Sequence, residues 1–337
     1  MAESISRREE EQFKEITHLI KESRDKTLRV VNKELLKLYW EVGEYINKRV
    51  EASGWGMGVV RRLAEFIQES GPGLKGFTSR NLWRMKQFYE TYKDYSKLSP
   101  LWTELSWSNN RLILSKTKTI EEKEFYLRLS VKENYSAREL DRQISSGYFE
   151  RTMLSNRKTS TSVEQFYPSA GNVFKDKYLL EFLDLPDPFT ENDLQKSIIN
   201  NLKKFILEVG RDFSFVAEEF RLQVGMHDYY IDLLFFHREL SCLVAFDLKI
   251  EKFKPEYLGK MNFYLEALDR DVKKPHENPS IGILLCKGKD SEVVEYALSR
   301  NISPAVIADY ETKLIDKRLL QAKLHEFFEL AEAKKNE

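Results

Sequence analysis

From Glu9 to about Tyr148, apolar residues recur at three- and four-residue spacing with few β-branched runs, as at Leu28, Val31, Leu35, Leu38 and Val42. That period belongs to amphipathic helices, because side chains one turn apart share a face. Residues 1–150 are therefore expected to form an all-α domain. Between Arg151 and Gly171 the periodicity disappears: seven of these 21 residues are Ser or Thr, and Pro168 and Gly171 punctuate the run. Such a stretch, residues 151–171, reads as an interdomain linker.

Residues 172–337 mix helical and strand periods. A helix is expected from about Glu191 to Val209, with Leu194, Ile198, Leu202, Phe205 and Val209 on one face and Gly210 as its stop signal. Three strands follow, Phe213–Val224, Asp228–Phe236 and Cys242–Ile250, joined by loops short enough for hairpins. Pro255 opens a helix that runs to about Asp269, and Ser280–Lys287 reads as another strand. Strand, helix and strand in that order imply a parallel crossover. The helix SEVVEYALS and the run PAVIAD complete the layer. The fold class expected is α+β in two domains, an all-α N-terminal domain followed by a mixed sheet flanked by helices.

Composition narrows the setting. The chain of 337 residues is two domains long, and its 54 basic residues balance 54 acidic ones, so any nucleic-acid surface has to be a local patch. No apolar run approaches the roughly 18 residues of a membrane span, and the charged start MAESISRREEEQF is unlike a secretion signal. A cytoplasmic protein without a membrane partner is the expectation. Cys242 and Cys286 lie in apolar strand-like runs, where a thiol acts as a small hydrophobe. The five histidines show no metal-ligand spacing, and GWGMG and GPGLKG lack the setting of a phosphate loop.

The candidate chemistry lies in the hairpin. Residues two apart in a strand share a face, so Asp247 and Lys249 point one way and Leu248 the other. If the turn is Arg238–Ser241, His237 pairs with Cys242 and Asp232 faces Asp247. Two carboxylates so placed repel unless a cation neutralises them. Mg²⁺ or Mn²⁺ would do so, and a nearby lysine would steady the charge that develops on a phosphoryl group. A single strand aspartate more often pairs with a lysine and does nothing else. Three charges gathered in apolar strands are costly without a function.

In the N-terminal half, Arg61–Tyr92 reads as helix, long turn and helix, with Thr78 or Ser79 as cap. From Gly71 to Lys93 five basic residues, Lys75, Arg80, Arg84, Lys86 and Lys93, stand against Glu90 alone. They form either a DNA-contacting surface or a solvated face over a core of Leu82, Met85, Phe88 and Tyr89.

The stretches LLEFLDLPD, FILEVGRDFSFVAEEFRLQVG, YYIDLLFFHRELSCLVAFDLK, FKPEYLGKMNFYL, ENPSIGILLCKGKD and VVEYALS resemble the YhcG family of PD-(D/E)xK nucleases. The stretches GWGMGVVRRLAEFIQ, FTSRNLWRMKQFY, LSWSNNRLIL and EFYLRLSVKENYSARELDRQI resemble the helical domain that precedes the nuclease in that family. The resemblance implies a restriction-endonuclease-like core, Asp232 and Asp247 as metal ligands and Lys249 as the catalytic lysine. It also implies an acidic residue on the first helix, in a DLExAL-like motif. This chain reads DLQKSI and puts Gln195 there, with Glu191 one turn earlier as a substitute. Lys260 and Tyr264 have the spacing of a Gln and a Tyr that some relatives in the wider superfamily carry on the second helix. A lysine there is either a phosphate contact or a solvated charge. The function implied is a metal-dependent DNA endonuclease in restriction and defence or in recombination and repair. The alternative is a DNA-binding or assembly protein whose nuclease fold is impaired through Gln195. Cutting both strands suits a homodimer, though no interface is legible.

Overall fold

The computed structural model describes residues 7–71, 73–155, 160–168 and 173–335. The chain divides into two compact units, Met1–Ile144 and Ser145–Glu337. Among the described residues no helix is long and apolar enough to cross a membrane.

The first unit is helical, with α1 (Arg7–Ser53), α2 (Met57–Ser70), α3 (Ser79–Tyr92), α4 (Ser99–Glu104), α5 (Trp107–Lys116), α6 (Ile120–Glu133) and α7 (Ala137–Ser145). α1 buries Leu36, Tyr39 and Ile46, and α3 buries Leu82, Met85 and Phe88. At Gly43 the two helices nearly touch. A Cβ there would sit 2.1 Å from the Met85 carbonyl oxygen, so the approach requires glycine. Trp40 stacks on Trp102 with ring centres 5.3 Å apart, and Phe88 stands edge-on to both and to Trp107. The apolar stripe that marks α1 in the sequence is not its core: Leu28 and Val31 are 55% and 58% exposed, and Leu35 and Leu38 are also exposed. Periodicity identifies a helix, but the face that meets α3 is chosen by Tyr39 and Gly43.

The second unit comprises α8 (Tyr148–Met153), α9 (Thr161–Phe166), β1 (Lys177–Leu179), α10 (Glu191–Asn200), α11 (Leu202–Val209), β2 (Phe213–Val224), β3 (His227–His237), β4 (Cys242–Lys252), α12 (Tyr257–Ala267), β5 (Asn278–Gly288), α13 (Ser291–Ser299), β6 (Ala305–Glu311) and α14 (Lys317–Lys335). Its six strands lie in the order β1-β6-β5-β4-β3-β2. β1, β6, β5 and β4 run parallel, and β3 and β2 add antiparallel strands. One face packs Leu194, Ile198, Phe205 and Val209 of α10 and α11 against Leu233, Phe235, Phe246 and Leu248. The other packs Leu258, Met261 and Leu265 of α12 with Val294 and Leu298 of α13 against Ala245, Leu284 and Ile307. Cys242 and Cys286 are free and buried in the cores of opposite faces.

Two expectations change. The single helix Glu191–Val209 breaks at Asn201, whose side chain donates to the Ser197 carbonyl at 3.1 Å and closes α10. The Ser/Thr-rich stretch expected as a linker is partly folded: it carries the end of α8 and all of α9, and Val163 and Tyr167 are buried in the core. Ser160 explains why its polar composition misleads. Its amide donates to Ala305 O at 3.2 Å and its hydroxyl accepts from Ala305 N at 3.0 Å, so it finishes the end of β6. Residues 156–159 and 169–171 of that expectation lie outside the described residues.

Candidate active site

The site begins with the first turn of α10. Thr190 accepts from the Asp193 amide at 3.1 Å while the Asp193 carboxylate accepts from the Thr190 amide at 2.9 Å. This capping box fixes where the helix starts, and so places Glu191 and Gln195 one turn apart on one face. Gln195 is buried and its Nε2 donates to the Asp232 carbonyl at 2.9 Å. Glu191 is half-exposed and its Oε2 lies 3.4 Å from Lys249 Nζ.

β3 and β4 keep the expected register from His237↔Cys242 to Leu233↔Phe246, where the ladder ends. Asp232 and Asp247 are the next pair in that register, one step beyond the hydrogen-bonded ladder. The Asp232 Oδ2 accepts from the Leu248 amide at 2.7 Å. A side-chain carboxylate takes the place of a neighbouring-strand carbonyl there.

Asp247 is 1% exposed. Its Oδ1 accepts from Lys260 Nζ at 2.9 Å, and its Oδ2 lies 3.0 Å from Lys249 Nζ. Both Asp247 oxygens thus face an ammonium group. Lys249 Nζ donates to Leu248 O at 2.9 Å and lies 5.5 Å from the Tyr257 ring centre. The hydroxyl of Tyr310 on β6 donates to Lys249 O at 3.2 Å and ties this end of β4 across the sheet.

Burial, and then the charge of Asp247, push the Asp232 carboxyl up to about 6, although the Leu248 amide and the charges of Lys249 and Lys260 pull the other way. For Lys249, burial acts to lower the pKa, but Asp247, Glu191 and Asp232 outweigh it and hold the group above its ordinary value. Lys249 is therefore an ammonium ion at neutral pH.

Among the described residues no group of three or more His, Cys, Asp and Glu side chains stands ready around a metal position. Two carboxylates do fit a hard cation. The buried Asp247 carboxylate offers oxygen already stripped of solvent, and Asp232 is held beside it by its bond to β4.

The remaining candidates divide. Tyr264 is buried, its hydroxyl donates to the Tyr230 carbonyl at 2.7 Å, and its ring centre lies 5.2 Å from Lys260 Nζ. Lys86 is buried, paired with Glu90 and packed 5.9 Å from the Trp83 ring. A helical period cannot tell an inward lysine from an outward one when its aliphatic stem suits a core. Lys75 and Arg80 are exposed in the turn before α3 and at its start.

Arg84 is half-buried, and Arg111 on α5 is close enough to act on it electrostatically, as is Arg80. Burial first, then these two like charges, hold the Arg84 guanidinium below its ordinary value. The bond from Trp107 Nε1 to Asn81 Oδ1 at 2.9 Å sets α5 against the first turn of α3. Arg111 Nε is buried without an acceptor among the described residues. Arg111, Tyr310 and Tyr257 went unnoticed in the sequence. Only the helical spacing Trp107–Arg111 hints at the first, and nothing local marks the tyrosines.

A strand pair that presents Asp232, Asp247 and Lys249 beneath the first turn of a helix, on a mixed sheet covered on both faces, defines the restriction-endonuclease-like class of PD-(D/E)xK nuclease folds. The family model for the YhcG PDDEXK nuclease domain matches residues 171–325, and that for the DUF1016 N-terminal domain matches residues 15–151. The chain is 32% identical to the Escherichia coli (strain K12) protein named "Putative nuclease YhcG", over 92% of this chain and 92% of that one. It belongs to the YhcG family. Among solved structures, the crystal structure of a repair endonuclease from Pyrococcus abyssi aligns at a TM-score of 0.27 and 17% identity, covering 37% of this chain and 46% of that one.

Proposed function

We propose that the protein is a metal-dependent DNA endonuclease that hydrolyses phosphodiester bonds at Asp232, Asp247 and Lys249. The observation that carries this reading is the Asp247 carboxylate, 1% exposed, beside a second carboxylate and a lysine held as ammonium. Asp232 and Asp247 would hold Mg²⁺ or Mn²⁺, which supplies Lewis-acid polarisation of the scissile phosphate when bound. In the reaction a water oxygen bonds to phosphorus, one P–O ester bond breaks, and the leaving alkoxide takes up a proton.

The role of Lys249 is to donate to a non-bridging phosphate oxygen as negative charge grows there. Glu191, the half-exposed carboxylate 3.4 Å from Lys249, is the group best placed to orient the attacking water or take its proton. Gln195 is a positioning residue that holds the Asp232 backbone.

The helical N-terminal domain docks on DNA through Lys75, Arg80 and Arg84, with Arg111 added. Three guanidinium groups without an ion-pair partner among the described residues leave a local positive field in a neutral chain. Such an enzyme acts in the cytoplasm, in restriction and defence or in recombination and repair, and cutting both strands would call for two copies.

One observation favours the alternative of an impaired nuclease that binds or assembles on DNA: each Asp247 oxygen already faces an ammonium group, and Gln195 contributes no charge. Incubation of the purified chain with duplex, branched and single-stranded DNA, with Mg²⁺ or Mn²⁺ and with EDTA, separates the two. Cleavage that needs the cation supports the enzyme, and binding without cleavage under every condition supports the alternative.

A further inference from the structure

Lys249 and Lys260 both face Asp247, but they are not equivalent. The Lys249 side chain is 10% exposed and tied to the Leu248 carbonyl as well, whereas that of Lys260 is 47% exposed. Lys260 can leave for solvent at little cost, since a lysine stem bends freely and its ammonium is readily hydrated. Its bond to Asp247 Oδ1, at 2.9 Å, is nevertheless well formed. Tyr264 adds a cradle: its ring centre lies 5.2 Å from Lys260 Nζ, and its hydroxyl bond to Tyr230 fixes the ring. The site thus holds three carboxylates, of Asp232, Asp247 and Glu191, against two ammonium groups, one of them movable.

We propose that Lys260 is a tethered counter-ion that competes with the divalent cation for Asp247, so that loading of the site requires Lys260 to withdraw from Oδ1. This rests on the reading of Asp232 and Asp247 as the metal ligands. Without metal, Lys260 keeps the buried carboxylate neutralised. With metal on the same carboxylate, an ammonium group on its other oxygen stands within a few ångströms of a divalent cation, and the repulsion drives it out toward solvent. The lysine therefore sets how tightly the free protein takes up metal, and weakens it.

The test is Mn²⁺ binding to the full-length protein without DNA, followed by the Mn²⁺ electron paramagnetic resonance signal and by calorimetry, for wild type, Lys260→Met, Lys260→Gln, Asp247→Asn and the double variant Asp247→Asn/Lys260→Met. Removing one close like charge from a partly solvated site should tighten Mn²⁺ binding on the order of tenfold. Lys260→Met and Lys260→Gln are both expected to gain; Lys260→Gln keeps a donor for Asp247 Oδ1 and should melt closer to wild type than Lys260→Met, which leaves that buried oxygen without one. The gain should vanish when Asp247 is already Asn. Unchanged or weaker Mn²⁺ affinity in the Lys260 variants overturns the proposal, as does an equal gain in the Asp247→Asn background. Wild-type Mn²⁺ affinity in Asp247→Asn alone is a different result: it overturns the metal-ligand reading itself.

Discussion

The Asp232 carboxylate accepts the Leu248 amide proton at 2.7 Å, so one group satisfies a buried strand N–H and supplies charge to the site. Asp232→Asn retains an acceptor for that amide and Asp232→Ala does not. At pH 7 without metal, Asp232→Asn should match or exceed wild-type stability, because it relieves repulsion with Asp247. Asp232→Ala should lose about 1–3 kcal/mol relative to Asp232→Asn, the cost of an unsatisfied buried donor. Thermal melts of the two variants check this, and equal melting temperatures would count against the bond.

Burial and Asp247 raise the Asp232 pKa to about 6, so between about pH 4 and pH 6 the folded protein binds more protons than the unfolded chain. Its contribution to stability is therefore greatest at the acid end, declines as pH rises through that window, and stays low above it. The decline should amount to at most about 3 kcal/mol for a shift of some two units. Metal uptake has to displace that proton, so metal-dependent activity should climb through about pH 6 and then level. Denaturant titrations across pH should lose this component in Asp232→Asn.

Gln195 donates to the Asp232 carbonyl from a buried position, and a glutamate cannot make that bond while ionised. Gln195→Glu should thus cost about 1–3 kcal/mol of apo stability at neutral pH. Calorimetry with and without Mn²⁺ checks whether the added charge tightens metal binding enough to offset the loss. Glu191→Gln, at a half-exposed position, should change stability by less than about 1 kcal/mol yet lower cleavage if Glu191 serves the water.

Most of this was legible in the sequence, and what was not has identifiable causes. The meander, its turn and its register follow from alternation and loop length, and β2 matches its expected bounds. β1 escaped because three residues at a sheet edge carry no period, and its place depends on contacts with β6 far along the chain. The trio was found because charges in apolar strands stand out. Lys260 on Asp247 and Tyr310 on Lys249 join elements whose spacing no local pattern encodes. The inward turn of Lys86 and the companionship of Arg84 with Arg111 arise from how helices pack, which periodicity alone does not reveal.

Arg84→Gln and Arg111→Gln should each weaken DNA binding similarly for all sequences and reduce the slope of log affinity against log salt by about 1, the loss of one phosphate contact. Lys86→Gln should leave the slope unchanged and lower stability instead, because its stem is buried in the helical core and its ammonium is already paired with Glu90. Fluorescence anisotropy in EDTA across a salt series measures both. An unaltered slope in the arginine variants would return them to a solvated face.

The most direct measurement is cleavage of plasmid DNA by the full-length protein in Mg²⁺ and in Mn²⁺, compared for wild type, Asp247→Asn and Lys249→Met, with DNA binding recorded in parallel. Wild type should cut only with the cation. Asp247→Asn should lose both cleavage and Mn²⁺ binding, and Lys249→Met should lose cleavage while still binding Mn²⁺. All three should bind DNA within a few-fold of one another, because phosphate contacts elsewhere dominate affinity. Cation-dependent cutting that survives both substitutions would contradict the assignment and put the active site elsewhere in the chain.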